Sequence, residues 1–400
     1  MIQNIIFTLI LSFIFFYVFK SKKFGSPLLF IFTGLTFLHS FIYALDEYKR
    51  EFLSNSIILN IIVLLGILLI RNKATVHEER NIKNTNTINK IFIIFVIFIF
   101  YHYLTIGIPY FSDTIGLSRF NLIKSGLFGI PSRLSVYGIT ILFILSILAF
   151  EYDLIKKGKF IYYISIILVF MIFQGNKSSI LPIIFYSALC YPFIHNKKKV
   201  IFTYKNFLFF AIGSFIYFTL ILNKINSIIF FNISEYLFTR STEVAYDSGF
   251  FLRDKLSYDQ VFLIFNNAII NDLIYPILIL IGENVMTLNE QLSIALYGNF
   301  ITKAVPVTPG WYAYHYFVFN GSTLLIYLHT FSFGIFIGYL ENRSYKTNLL
   351  INKVILLTSV YWLWIGYAKG NPYYIIFNLL MCLLATYMID NYFKKIKISK

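Results

Sequence analysis

Charge is what this sequence has least of: 13% of its 400 residues are Asp, Glu, Lys or Arg, against roughly 25% in a soluble domain. That shortage excludes water as the chain's main solvent. Cysteine is almost missing. Cys190 and Cys382 both sit inside apolar runs, where they read as small buried hydrophobes, with no metal spacing and no disulfide framework. There is no nucleotide fingerprint, Walker loop, HExxH pair or aspartate-rich motif, so nothing calls for a metal or cofactor. Internal repeats are missing as well. Met1-Ile2-Gln3-Asn4 lacks the basic start of a cleavable signal, which makes the first apolar run a retained helix.

What the sequence does hold is 58% hydrophobic and 20% aromatic residues. Charge-free apolar runs recur along it, each approaching the ~20 residues that cross a ~30 Å hydrocarbon core. Spans are predicted near 2–19, 27–45, 53–70, 91–108, 134–150, 160–173, 180–195, 206–222, 319–340, 354–368 and 372–389. The expected fold is all-α: a polytopic transmembrane helical bundle of about eleven spans (up to about thirteen) forming one membrane domain over 1–400.

The formal charge of +16 does not mark a nucleic-acid partner, because the bases lie between apolar runs and not on one face. With the N-terminus outside and the C-terminus in the cytoplasm, 22 of the 34 Lys and Arg fall on the inner side, as the positive-inside rule requires. Membrane lipid then surrounds the chain. Two outer loops, 109–133 and 223–318, are too long for turns. The second keeps apolar stretches near 261–281, read as short amphipathic helices on the membrane face. A further hairpin of short spans is the competing reading.

Ionisable groups at mid-membrane mark coupled transporters; here the spans offer no Asp, Glu, Lys or Arg and only the histidines His39, His102, His195 and His329. Candidate chemistry therefore moves to the outer face. Lys177, in Gly175-Asn176-Lys177-Ser178-Ser179, tips a hairpin of short spans. It either meets an anionic head group such as a pyrophosphate, with nearby backbone N–H groups as added donors, or snorkels to the interface. Arg119, Lys124 and Arg133 lie among Gly116, Gly126 and Gly129; they are either phosphate partners or solvated surface. Helical spacing puts Arg240, Glu243 and Asp247 on one face, a site for sugar and phosphate or an exposed salt-bridged surface. Arg253 continues that charge. In Trp311-Tyr312-Ala313-Tyr314-His315-Tyr316 the rings can stack on sugar faces and His315 can exchange a proton near neutral pH. An interfacial aromatic belt explains the same rings.

The pattern resembles the O-antigen polymerases of the Wzy type, the oligosaccharide repeat unit polymerases of bacterial envelopes. The resemblance is architectural over most of the chain, with many spans and a long late outer loop. Locally it rests on Gly175-Asn176-Lys177-Ser178-Ser179-Ile180-Leu181, where relatives often carry Arg for Lys177. It rests also on Phe319-Asn320-Gly321 leading into Phe333-Gly334-Ile335-Phe336-Ile337-Gly338. The resemblance implies glycosyl transfer between undecaprenyl-pyrophosphate-linked glycans in the inner (plasma) membrane of a bacterium, with no cofactor, and a chain-length regulator as partner. Lys177, Arg119, Arg133, Arg240 and Arg253 would meet the leaving pyrophosphate, whose growing negative charge needs cations. Glu243, Asp247 or His315 would act as base or orienting group for the acceptor hydroxyl. An O-antigen ligase shares the architecture and the donor; a flippase or exporter is the transporter alternative. A wholly structural envelope protein would leave the outer charges without a role.

Overall fold

The computed structural model describes residues 28, 32, 50–70, 87–111, 130–174, 181–190, 193, 268–280, 288, 291, 310–370 and 373–398. Among them every regular element is helical and there is no strand. The elements are α1 (Arg50–Ile70), α2 (Ile88–Ile106), α3 (Ile130–Glu151), α4 (Lys157–Phe173), α5 (Leu181–Cys190), α6 (Ala268–Leu280), α7 (Trp311–Val318), α8 (Thr323–Lys346), α9 (Leu350–Lys369) and α10 (Tyr373–Ile398). A 3-10 turn, Pro109–Phe111, follows α2.

Among the described residues, five helical segments are long and apolar enough to cross a membrane: Ile88–Phe111, Ile130–Glu151, Thr323–Lys346, Leu350–Ala368 and Ile375–Tyr392. Their surfaces agree with that solvent. On α2, Phe92, Phe95, Ile99 and His102 are buried, while Ile93, Ile97, Phe100 and Leu104 on the opposite side are exposed. A water-facing helix would carry polar residues there. The expected spans at 2–19, 27–45 and 206–222 fall outside the described residues, apart from helical Leu28 and Phe32.

The chain divides into two compact units. The first holds α1, α6, α7, α8 to Arg343, the end of α9 from Trp362, and α10 to Ile376. Close packing joins α1 to α8 through glycine. A Cβ on Gly66 would stand 2.6 Å from the Phe331 carbonyl oxygen, and one on Gly334 would stand 2.5 Å from that of Val63. Gly338, one turn on from Gly334, lies against Ile67. With lipid on the outside there is little hydrophobic drive for helix association, so small residues that admit backbone-to-backbone contact take its place.

The second unit is built around α3, in which every residue from Ile139 to Glu151 is buried. A helix apolar all round needs neighbours on all sides, and α2, α4 and α5 supply them. Phe92 of α2 stacks on Tyr163 of α4, whose hydroxyl donates to Asn89 Oδ1 at 2.6 Å. Thr140 and Tyr186 share a hydrogen bond of 2.8 Å between α3 and α5. Thr87, ahead of α2, donates to Asp390 of α10 at 2.7 Å.

Three expected boundaries move. The helix expected to end at 340 runs on to Lys346, because its charged end is partnered: Glu341 accepts from the Leu28 backbone N–H at 3.2 Å, and Asn342 donates to the Ile70 carbonyl at 2.9 Å. Helix α9 starts at Leu350, which buries Lys353, placed by sequence in an inner loop. Its ammonium donates to the Tyr152 hydroxyl at 3.1 Å and lies 4.2 Å from the centre of the Phe193 ring, so the charge is compensated by a hydrogen bond and a ring quadrupole. The outer loop expected over 109–133 is helical at both ends, and Arg133 belongs to α3.

Candidate functional site

In the first unit a polar and aromatic cluster gathers where α7 meets α8 and α10. The turn that makes it is legible atom by atom. Helix α7 ends with Asn320 at φ 51 and Gly321 at φ 75, and the Gly321 N–H reaches back to the Tyr316 carbonyl at 2.7 Å. This left-handed cap turns the chain sharply, which folds α7 back onto α8. Trp311 and His315, four apart on one face of α7, therefore meet His329 and Thr330 of α8. The Trp311 indole N–H donates to Thr330 Oγ1 at 2.9 Å, and its ring lies 4.8 Å from Phe333 and 4.7 Å from Tyr367 between centroids.

From there the hydrogen bonds run as a chain. His315 Nδ1 is 2.8 Å from the Trp311 carbonyl oxygen, and His315 Nε2 is 3.3 Å from the Tyr373 hydroxyl. That hydroxyl is in turn 2.5 Å from His329 Nε2. The two imidazole centroids are 4.6 Å apart. His315 is completely buried, and burial, reinforced by His329 beside it, pulls its pKa down to about 3. Burial thus favours the neutral form of this imidazole, and both of its nitrogens have polar neighbours.

On the next face of α7, Tyr314 donates to Asp272 Oδ2 of α6 at 3.2 Å. Burial, reinforced by that carboxylate, raises the Tyr314 phenol far above its ordinary value. Asp272 also accepts from the Leu288 backbone N–H at 3.5 Å. The amphipathic reading of this segment has a counterpart in α6, where Ala268, Asp272 and Tyr275 are buried and Ile270, Ile274 and Ile277 exposed. Its 13 residues rise only ~20 Å at 1.5 Å each, short of a ~30 Å core.

No family model, curated protein or solved structure matches the chain. The site must therefore be read from its own geometry. Arg133, expected as a loop residue for phosphate, is buried in the second unit and donates from Nε to Asn378 Oδ1 of α10 at 2.7 Å. Beside it, Leu134–Gly138 forms a π turn, and the Gln174 side-chain amide donates to the Ser135 carbonyl. Such wide turns recur at functional sites. His102, also in this unit, is fully buried, and its ring nitrogens have no hydrogen-bond partner among the described residues. Arg119, Lys124, Lys177, Arg240, Glu243, Asp247 and Arg253 lie outside the described residues.

Sequence reasoning reached Trp311 and His315 but missed His329, Thr330, Tyr373 and Asp272 as members of one cluster. The signal was present as polarity in the wrong place: an adjacent His-Thr pair inside an apolar run, and a lone acid in an apolar segment. Nothing in the sequence spacing connects groups from four separate helices.

Proposed function

We propose that the chain is a multi-pass protein of a bacterial inner membrane that joins undecaprenyl-pyrophosphate-linked oligosaccharide repeats at the extracytoplasmic face. The observation that carries this reading is the cluster of imidazole, phenol and indole groups around Trp311, His315, His329 and Tyr373. Positive-inside topology puts the start of α8 and α10 on the outer side. His329 lies six residues into α8, so the cluster sits within ~9 Å of that end. Aromatic faces suit sugar rings, and groups that hold and pass protons suit a hydroxyl nucleophile.

In this mechanism the acceptor hydroxyl attacks the anomeric carbon of the growing chain. The bond from that carbon to the lipid pyrophosphate breaks, and the pyrophosphate leaves with the electron pair. Cations must meet the charge that develops on it. Arg119, Lys177, Arg240 and Arg253 are the candidates proposed from the sequence. Glu243 and Asp247 are proposed to orient the acceptor. A chain-length regulator protein is the proposed partner, and about eleven spans complete the bundle.

The test is polymer formation by the purified protein in lipid vesicles, supplied with a synthetic undecaprenyl-pyrophosphate-linked repeat. A ladder of lengthening glycans on the lipid carrier is expected. Transfer to a lipid A core with no ladder would make the protein a ligase. Movement of the lipid-linked repeat across the bilayer, with no new bond, would make it a transporter.

A further inference from the structure

We infer that the exposed lysines at the starts of α2 and α4 form a binding surface for the phosphate of anionic phospholipids in the cytoplasmic leaflet. The inference is independent of the glycosyl-transfer reading, since it concerns the second compact unit alone.

The sequence puts Lys90 directly before the apolar run that opens at Ile91, and Lys156, Lys157 and Lys159 directly before the one that opens at Phe160. Packing brings the two helix starts together. Tyr163, in the second turn of α4, donates to Asn89 Oδ1 at 2.6 Å and stacks on Phe92 at 3.7 Å between centroids. Lys159, four residues earlier on the same face of α4, holds its ammonium 5.8 Å from the centre of the Tyr163 ring, within reach of a cation–π contact. Lys90 follows Asn89 on α2. All four lysines are exposed, and a Cβ added to Gly158, between Lys157 and Lys159, would meet nothing within 4 Å. A ligand reaches this surface without entering a cavity.

The acids at this end do not cancel the charge. Asp390 is buried and accepts from Thr87 at 2.7 Å, and Glu151 is buried. Between α3 and α4 the exposed acid is Asp153 alone. Four exposed ammonium groups beside one exposed carboxylate make a basic patch, which selects an anion. The apolar neighbours argue that the anion is a lipid. Ile93 on α2 is 55% exposed, and Ile161 and Tyr162 on α4 are 52% and 61% exposed, directly beyond the lysines along each helix. An acyl chain running along these side chains brings its phosphate level with the lysines, whose aliphatic stems can lie on the same apolar surface. On the positive-inside topology this end faces the cytoplasm, where juxtamembrane lysines attract anionic headgroups.

The test reads lipid occupancy at the patch itself. The full chain carrying Tyr162→Trp, beside Lys159, is reconstituted in bilayers that mix phosphatidylglycerol with phosphatidylcholine, one or the other brominated on its acyl chains to quench the new indole. Quenching measured on the protein with Tyr162 intact is subtracted. Phosphatidylglycerol should be preferred about tenfold at roughly 0.05 M salt, and the preference should fall severalfold by roughly 0.5 M. Adding Lys156→Gln, Lys157→Gln and Lys159→Gln should remove most of it, whereas Arg at the same three positions should keep it. No preference for the anionic lipid with the lysines present, or an equal preference after the Gln replacements, overturns the proposal. Loss of the preference to inorganic phosphate, but not to chloride at equal ionic strength, would make this a site for a free anion and also overturns it. If the Gln protein fails to fold, the salt series decides alone, and a preference unmoved by salt overturns the assignment.

Discussion

His315 shows how folding sets the surroundings of one side chain. In the sequence it is a histidine beside aromatic residues, which suggests proton exchange; in the structure its burial and its bond to the Trp311 carbonyl keep it neutral. The linkage has a definite sign. The folded pKa of about 3 lies below the ordinary ~6.5, so on acidification the unfolded chain binds a proton that the folded chain refuses. Stability is full above about pH 6.5 and declines as pH falls toward the folded value. The thermal midpoint in detergent should therefore drop between about pH 7 and pH 5, before carboxylates titrate. His315→Asn keeps a donor for the Trp311 carbonyl and should lessen that drop. An equal drop in wild type and variant would place the linked proton elsewhere. The partners of His315 were hidden from the sequence for a physical reason: Tyr373 is 58 residues away along the chain, and only the cap at Asn320-Gly321 brings α7 against α8.

Helices were read more readily than their ends. The apolar cores near 91–108, 134–150, 160–173 and 354–368 all lie within observed helices or their capping turns, because a charge-free run of that length has few alternatives to a helix in lipid. The ends escaped notice because hydropathy reports where charge begins, whereas the helix stops where backbone groups find other partners. Glu341, Asn342 and Lys353 are charged or polar, yet each is partnered inside a helix. Glycine is a second signal at this scale. Gly334 and Gly338 stood out in the sequence as part of a family-like stretch; the structure gives them a packing role against α1. Gly334→Val would push a side chain into the Val63 backbone, which has nowhere to retreat, and should cost more than the ~1–3 kcal/mol usual for overpacking. Gly158→Ala, where nothing lies within 4 Å, should be neutral or stabilising by about 0.5–1 kcal/mol, since Ala suits a helix better than Gly. Thermal melting of the two purified variants checks both expectations. Equal stabilities would show that the α1–α8 approach is looser than described.

At the scale of the whole molecule, membrane character was legible from composition alone, because a chain with so few charges has no other solvent to fold in. The long apolar helices with exposed apolar faces are the structural counterpart of that reading. The assembly of the cluster was not legible, since residues far apart in sequence meet only after the helices pack. The central claim of the proposed function is that the end of α8 nearest this cluster faces the outside of the cell. Helix α8 tests it directly, because Thr323 at its start and Arg343 near its other end are both exposed and lie ~30 Å apart along the axis, one hydrocarbon thickness. In a background where Cys190 and Cys382 are replaced by Ser, single variants Thr323→Cys and Arg343→Cys would be treated with a membrane-impermeant thiol reagent in sealed right-side-out vesicles. Labelling of Thr323→Cys alone, with Arg343→Cys reacting only after the vesicles are opened, is the predicted result; the reverse pattern, or labelling of both in sealed vesicles, would contradict the account.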